Sequence, residues 1–309
     1  HQQGKHENRW HRRYAKPVEY RLNETLCTTR SRYMTTNRPE SHLLRVGHMT
    51  YLNSEVFYRK LPIGSCDLVA MPPRAMAAAV EQGELDAGPL PIAEIFRLGD
   101  KIRSLGNLGV ASNGPAMSVF LFSHKPVEDL SGSDVAVTTH TATSIQLLRI
   151  LFAELWNVVD HNFVEMSDGH DVALVIGDPA LSMLAAGDYK HQYDLGSAWK
   201  TLTGSPFVFA EWVVRADAPA DLARQFEKDL IEATERGFDS IDEICRIRAN
   251  DVMSESDVRT YVRNFSYFLG SSERSGQQEF KSRLAQLPAW RPTSLTNPNS
   301  TTTEAIPTS

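Results

Sequence analysis

Short apolar runs alternate with segments of helical length through the middle of this 309-residue chain. Runs such as 134–138 and 172–176 are predicted strands, and residues 143–151 place apolar side chains at helical spacing. This alternation predicts an α/β fold. The pattern occurs twice, with one strand crossing between the two halves and a second strand, at 207–214, returning to the first. We therefore expect two lobes with a cleft between them that closes on a ligand.

We expect the first lobe to contain residues 43–126 and 210–290, and the second lobe to contain residues 127–209. The first 42 residues are basic and lack an apolar run of signal-peptide length, so we expect a disordered leader there. Met34 is the first methionine, and residues 1–33 are interpreted as upstream read-through or as a disordered leader. Residues 291–309 are rich in Ser, Thr, Pro and Asn, which predicts a disordered tail.

Composition excludes several classes of protein. A hydrophobic content of 41% fits a soluble globular chain, and no run reaches the roughly 18 apolar residues of a membrane span. The net charge of −6 argues against nucleic acid as a partner. The three cysteines are far apart and form no CxxC pair, which favours reduced thiols and a cytoplasmic location. No metal, nucleotide-phosphate or dinucleotide motif occurs, so we expect neither metal nor organic cofactor.

Polar segments follow three of the predicted strands. Residues 50–53 follow the first strand, residues 141–144 follow the strand at 134–138, and Gly177-Asp178 follows the strand at 172–176. Polar groups placed beside strand ends are typical of a cleft site. These segments offer hydroxyls, amides and backbone N–H groups, which suit a small anionic molecule.

Each candidate residue also has a purely structural interpretation. Asn53 can contact a ligand or cap a helix, and Thr143 and Ser144 can bind a carboxylate or cap their own helix. Asp178 can bond a ligand or brace a turn. Two histidines at strand ends, His48 and His140, can serve as a base or be structural.

Six blocks in this order resemble the chorismate dehydratases of the futalosine route to menaquinone, over about residues 43–285. The blocks are Arg45-Val46-Gly47 through Thr50-Tyr51-Leu52-Asn53, Gly114-Pro115-Ala116-Met117-Ser118 with Leu121-Phe122-Ser123, Thr141-Ala142-Thr143-Ser144, Val175-Ile176-Gly177-Asp178-Pro179-Ala180-Leu181, Tyr193-Asp194-Leu195-Gly196-Ser197-Ala198-Trp199, and Thr203-Gly204-Ser205-Pro206-Phe207-Val208-Phe209-Ala210-Glu211-Trp212.

The resemblance implies a type II periplasmic-binding-protein fold and a cytoplasmic hydro-lyase. The implied reaction removes water from chorismate and gives 3-[(1-carboxyvinyl)oxy]benzoate. Two alternatives stay open: a non-catalytic protein that binds a small carboxylate, and the sibling enzyme of the same pathway that forms dihydroxynaphthoate. The oligomeric state does not follow from the sequence.

The resemblance also implies roles for individual residues. Asn53 would contact the reacting part of the substrate, and Asp178 would be a polar contact or support. The remaining substrate-binding residues are Tyr51, Ser112, Asn113, Ser118, Thr141, Thr143 and Ser144. One departure concerns Pro89-Leu90-Pro91, where many members have serine or threonine after the third strand. The chain therefore lacks one hydroxyl that the family pattern would place in the first lobe.

Overall fold

The computed structural model describes residues 43–138, 141–167 and 169–288. The predicted leader at 1–42, the predicted tail at 291–309, and His140 lie outside the described residues.

Strands and helices alternate through much of the chain, as the sequence predicts, but β4, β5 and β6 follow one another, as do three helices near the end of the described residues. The strands are β1 (Arg45–His48), β2 (Asp67–Ala70), β3 (Ala87–Pro91), β4 (Ile102–Ser112), β5 (Val119–Ser123), β6 (Asp134–Val137), β7 (Asn162–Glu165), β8 (Val172–Ile176), β9 (His191–Asp194), β10 (Phe207–Arg215) and β11 (Phe265–Phe268). The α-helices are α1 (Glu55–Tyr58), α2 (Pro73–Glu81), α3 (Ile92–Leu98), α4 (Thr143–Leu151), α5 (Asp178–Ala186), α6 (Leu195–Thr203), α7 (Ala220–Asp239), α8 (Ile241–Arg248), α9 (Glu255–Arg263) and α10 (Ser271–Leu284). Short 3₁₀ segments lie at Leu52–Ser54, Gly99–Lys101 and Val127–Asp129, and a π-helical turn at Phe152–Trp156 follows α4.

The strands form two mixed sheets, one in each lobe. The first sheet has the order β11-β4-β10-β3-β1-β2, and the second has the order β7-β6-β8-β5-β9. In the first sheet β1 is parallel to β2 and β3, while β10 runs antiparallel between β3 and β4. In the second sheet β6 is parallel to β7 and β8, and β5 is antiparallel to β8 and β9. The predicted α/β, two-lobed fold is confirmed.

Local sequence explains several element ends. Pro73 occupies the first turn of α2, where its missing N–H leaves no bond unmade. Gly83 follows that helix with a left-handed φ of 73° and so ends it. Asp194 accepts a hydrogen bond from the Ser197 N–H and caps α6.

Two large apolar clusters stabilise the lobes. In the second lobe α4 buries Ile145, Leu148 and Leu151 against the sheet, as its apolar spacing predicts. Complete burial of one such side chain contributes about 1.5–3 kcal/mol. The same cluster extends into the first lobe, because Phe280 of α10 contacts Trp199 of α6 with ring centroids 5.9 Å apart. The lobes therefore share apolar contacts beside the crossing strands.

The structure differs from the sequence predictions at several strands. We expect residues 119–123 in the first lobe, but β5 pairs with β8 and β9, so the first crossing precedes residue 119. Residues 193–196, which belong to one block of the resemblance, end β9 and begin α6. Strand β4 is long and irregular, because the left-handed residues Gly106 and Asn107 lie inside it.

Candidate active site

The candidate site lies where the carboxyl ends of strands from both sheets meet. Because β1 and β3 are parallel, the segments that follow them leave the same edge of the first sheet. The segments that follow β6 and β8 leave one edge of the second sheet for the same reason. Contacts between these segments, described below, show that the two edges face each other.

The segment after β1 touches the segment after β8 directly. The backbone N–H of Leu52 donates to Oδ1 of Asp178 at 3.1 Å, although the two residues are 126 positions apart. The Tyr51 ring lies over Gly177, so that a Cβ added to this glycine would be 3.0 Å from Tyr51 Cε1. Gly177 has φ 67° and ψ −150°, a conformation that only glycine adopts readily. The structure thus brings Tyr51, Asn53 and Asp178 together, as the sequence predicts.

Asn53 does not cap a helix. It lies inside the 3₁₀ segment Leu52–Ser54, and its Oδ1 accepts a hydrogen bond from the Ser54 hydroxyl at 3.2 Å. Neither this segment nor α1 has a side-chain cap. The capping interpretation of Asn53 is therefore wrong in this structure, and the residue is partly exposed.

Both carboxylate oxygens of Asp178 have protein partners. Oδ1 accepts from the Leu52 N–H, and Oδ2 accepts from Nη2 of Arg248 at 2.6 Å. Burial raises the pKa of the Asp178 carboxyl, and the Arg248 guanidinium opposes that shift. Burial also raises the pKa of the Tyr51 phenol, which is then a neutral hydrogen-bond donor at physiological pH. In this structure Asp178 braces the junction between the lobes.

A second contact joins the lobes at the start of α4. The Thr143 hydroxyl accepts a hydrogen bond from the backbone N–H of Ala93 at 3.2 Å, so it bonds to the first turn of α3 in the other lobe. Helix α4 has Ala142 at its N-cap and no side-chain cap, which rules out simple capping by Thr143 or Ser144. Thr141 bonds to Thr138 through their hydroxyls, 2.9 Å apart. Thr141, Thr143 and Ser144 are all buried in this structure.

The three residues near the first crossing have different surroundings. The buried Ser112 hydroxyl donates to the carbonyl of Gly114 at 3.0 Å, and the buried Ser118 hydroxyl is 2.7 Å from that of Tyr261. The carbonyl of Ser118 accepts from the Gly177 N–H, which places Ser118 beside the Tyr51 and Asp178 group. Asn113 is exposed, and its Oδ1 accepts from Lys200. The structure does not bring Asn113 to either interlobe contact.

The first lobe contributes Pro89-Leu90-Pro91, where the chain departs from the family pattern, and the candidate base His48. Pro89, Leu90 and Pro91 are all buried in β3, and the donor that reaches the second lobe is the backbone N–H of Ala93. His48 ends β1 and packs edge-on against Tyr58, with ring centroids 4.4 Å apart. Burial lowers the pKa of His48, so its imidazole is neutral at physiological pH.

Arg248 and Asp194 are site residues that the sequence does not predict. Arg248 lies at the end of α8 and reaches both lobes, but no motif surrounds it. Asp194 accepts from the backbone N–H groups of Ala116 and Met117 at 2.9 and 2.7 Å, and so holds the first crossing segment. Asp194 stands in one of the blocks of the family resemblance, and its position before a helix is typical of a cap, but neither signal predicts its contact with the crossing segment.

A separate cavity of about 430 Å³ lies beside the crossing segment. Its walls are mostly apolar and include Met117, Phe120, Leu181 and Met253. None of the nine predicted site residues lines it. The polar groups of the motifs therefore define a different place, between the strand edges.

The described ranges contain no group of three or more His, Cys, Asp or Glu side chains arranged to hold a metal ion. Cys66 and Cys245 are free thiols, and Cys27 lies outside the described residues. Among the helices that the structure describes, none is both long and apolar enough to cross a membrane.

Comparison with solved structures shows that the chain has a periplasmic-binding-protein-like fold. A protein of Archaeoglobus fulgidus has a TM-score of 0.65 and 17% sequence identity, with 80% of this chain and 98% of that chain covered. The ligand-binding component of an ABC-type import system from Staphylococcus aureus has a TM-score of 0.58 and 14% identity, covering 80% and 92%. A Candida albicans gene product described as having the generic periplasmic binding protein fold has a TM-score of 0.58 and 12% identity, covering 81% and 92%.

Comparison of the sequence with known proteins identifies the family to which the chain belongs. Residues 44–286 match the family described as menaquinone biosynthesis, and the chain belongs to this family. A chorismate dehydratase of Thermus thermophilus is 29% identical over 205 residues, which cover 60% of this chain and 74% of that protein. The match confirms the family resemblance drawn from the sequence.

Proposed function

We propose that this protein is a chorismate dehydratase that supplies menaquinone biosynthesis. The observation that carries the proposal is the contact between the segments after β1 and β8, where Leu52 N–H meets Asp178 across the lobes. This contact joins two blocks of the family pattern and leaves the Asn53 amide partly exposed beside it. The Thermus thermophilus relative and the family match support the choice of reaction.

The proposed reaction needs little acid–base chemistry from the protein. The ring carbon that bears the enolpyruvyl ether loses its proton. The C–O bond between the adjacent ring carbon and its hydroxyl group breaks, and the hydroxide takes up a proton and leaves as water. The ring of the product, 3-[(1-carboxyvinyl)oxy]benzoate, is aromatic, which supplies the driving force. The protein must chiefly hold two carboxylates and the leaving hydroxyl in a reactive geometry.

The residues at the junction suit that task. Asn53 offers an amide that can both donate and accept at the reacting part of the ring. Thr141, Thr143 and Ser144 offer hydroxyls, and the start of α4 adds backbone N–H groups that favour an anion. We assign them to a substrate carboxylate. In this assignment Tyr51 and Ser118 contact the substrate, Asp178 supports the site from the second lobe, and the buried Ser112 holds the segment after β4 through the Gly114 carbonyl. Asn113, which is exposed and bonded to Lys200, is not part of the assignment.

We place the reaction in the cytoplasm, which suits the free thiols of Cys66 and Cys245. We also propose that the two lobes move apart to admit chorismate, because the Tyr51–Gly177 and Ala93–Thr143 contacts close the junction.

Incubation of the purified protein with chorismate and a chelator tests the proposal. Mass spectrometry should show loss of one water from chorismate without added metal or nucleotide. Tight calorimetric binding of chorismate with no change in its mass would instead identify a carboxylate-binding protein. If the protein neither binds nor converts chorismate, then chorismate is not its ligand.

A further inference from the structure

The side chain of Arg248 donates hydrogen bonds to three residues around Asn53. Its Nη1 donates to Oε1 of Glu55 and, at 3.4 Å, to the carbonyl of Thr50, while its Nη2 donates to Oδ2 of Asp178 at 2.6 Å. Only 5% of the Arg248 side chain is exposed. A planar guanidinium can fork to several acceptors in this way, whereas a lysine ammonium is a single point of charge.

These three acceptors lie on both sides of Asn53 and on both lobes. Thr50 precedes Asn53 in the first lobe, Glu55 follows it, and Asp178 belongs to the second lobe. Asp178 also accepts from the Leu52 N–H, so the backbone immediately before Asn53 is fixed through the same carboxylate. Arg248 itself ends α8, which is far from this segment in sequence.

The charges around Arg248 form an alternating row. Arg59 donates to Oε2 of Glu55 at 2.9 Å, so Glu55 lies between the guanidinium groups of Arg59 and Arg248. Asp178 lies between the Arg248 guanidinium and the backbone N–H of Leu52. With 12% of Glu55 and 29% of Asp178 exposed, these charges are partly shielded from water. Loss of Arg248 would leave two carboxylates near each other with no cation between them, which is costly for buried charges.

We propose that Arg248 is a positioning residue, which fixes the Thr50–Glu55 segment against Asp178 and thereby aims the Asn53 amide at the substrate. It does not contact the reacting atoms. The proposal rests on the proposed function for its kinetic consequence, but the positioning itself is a property of the unliganded protein and can be measured without substrate.

The kinetic test compares Arg248→Gln and Arg248→Lys with the control Arg259→Gln. Arg259 lies on the neighbouring helix α9 and pairs with the exposed Asp242, so the control removes an ion pair of the same type away from the junction. Arg248→Gln should lower kcat for chorismate dehydration by about tenfold to a hundredfold, as small misplacements of a reacting group do. Arg248→Lys should recover only part of this loss, and Arg259→Gln should retain the wild-type kcat.

A double-mutant cycle separates positioning from general stability. If Arg248 acts through the Asn53 amide, adding Arg248→Gln to Asn53→Ala should lower kcat by less than about twofold more. Full multiplication of the two single losses would overturn the proposal, as would complete rescue by lysine.

Hydrogen exchange tests the same proposal without substrate. In Arg248→Gln, amides of residues 50–58 should exchange faster than in the wild type, while Arg259→Gln leaves them unchanged. Asp178→Asn, which keeps an acceptor for the Leu52 N–H, serves as a second variant should Arg248→Gln fold poorly, and it should also speed exchange there. Unchanged exchange in both variants would overturn the proposal. If the wild type does not convert chorismate, the proposed function fails and hydrogen exchange alone decides the role of Arg248.

Discussion

Replacement of Asn53 by alanine should remove catalysis while leaving the fold nearly intact. In the structure the only hydrogen bond of its side chain to a described residue is the one accepted from the adjacent Ser54 hydroxyl at 3.2 Å. A hydrogen bond of this kind contributes about 1 kcal/mol to stability. We therefore expect Tm to fall by no more than about 3 °C for a chain of this size.

The loss of activity should be much larger than the loss of stability. A positioned polar group that stabilises developing charge is worth about a hundredfold to a thousandfold in kcat. Continuous measurement of product formation at saturating chorismate, with thermal unfolding of the same sample, gives both quantities. Ser54→Ala is the matched control, because it removes the same hydrogen bond but leaves the Asn53 amide in place.

The control should therefore lose similar stability and keep most of its kcat. Equal activity of Asn53→Ala and the wild type at saturating substrate would refute the catalytic role of Asn53. Equal loss in Asn53→Ala and Ser54→Ala would show that the segment matters only for its shape.

Three further variants or measurements test other parts of the site. Gly177→Ala should lower the free energy of unfolding by about 1–3 kcal/mol and raise KM, because alanine at φ 67° and ψ −150° is strained and its Cβ would press on Tyr51; an unchanged melting curve and KM would contradict the close contact. The double variant Thr143→Ala with Ser144→Ala should weaken chorismate binding by at least about tenfold in calorimetric titration, since hydrogen bonds to a charged carboxylate are lost, and an unaltered Kd would move the second-lobe carboxylate site elsewhere. Burial raises the pKa of the Cys66 thiol to about 12, so at pH 8 it should react with a disulfide reagent far more slowly in the native protein than in denaturant, and equal rates would show that the thiol is accessible as a thiolate.

The sequence predicts best the strands and helices whose own residues carry a clear apolar pattern. Strand β8 is an uninterrupted apolar run and α4 has a wide apolar face, and both match their predicted ranges closely. Strands β7 and β9 contain polar residues and lie at the two edges of the second sheet. They are strands because a neighbour pairs with them, and that neighbour is not visible in their own residues.

The candidate site shows the same division. The Tyr51–Asn53 segment and Gly177-Asp178 lie where a general rule places them, because polar residues after parallel strands gather at one edge of each sheet, and a two-lobed fold turns these two edges toward each other. The partners of Arg248 do not follow, since Glu55 and Asp178 are 193 and 70 positions away from it. Pairing over such distances depends on how α8 packs beside both lobes. The exposed position of Asn113, bonded to Lys200, depends in the same way on the packing of α6.

Proton NMR of chorismate during incubation with the protein shows directly whether water is eliminated from the ring. The signals of the ring protons on saturated carbon should disappear, and a meta-substituted aromatic pattern with an intact enolpyruvyl group should replace them. Conversion should be at least about a hundredfold slower when Asn53→Ala is used in place of the wild type. A para-substituted aromatic product with released pyruvate, or a chorismate spectrum that does not change, would show that the protein does not dehydrate chorismate.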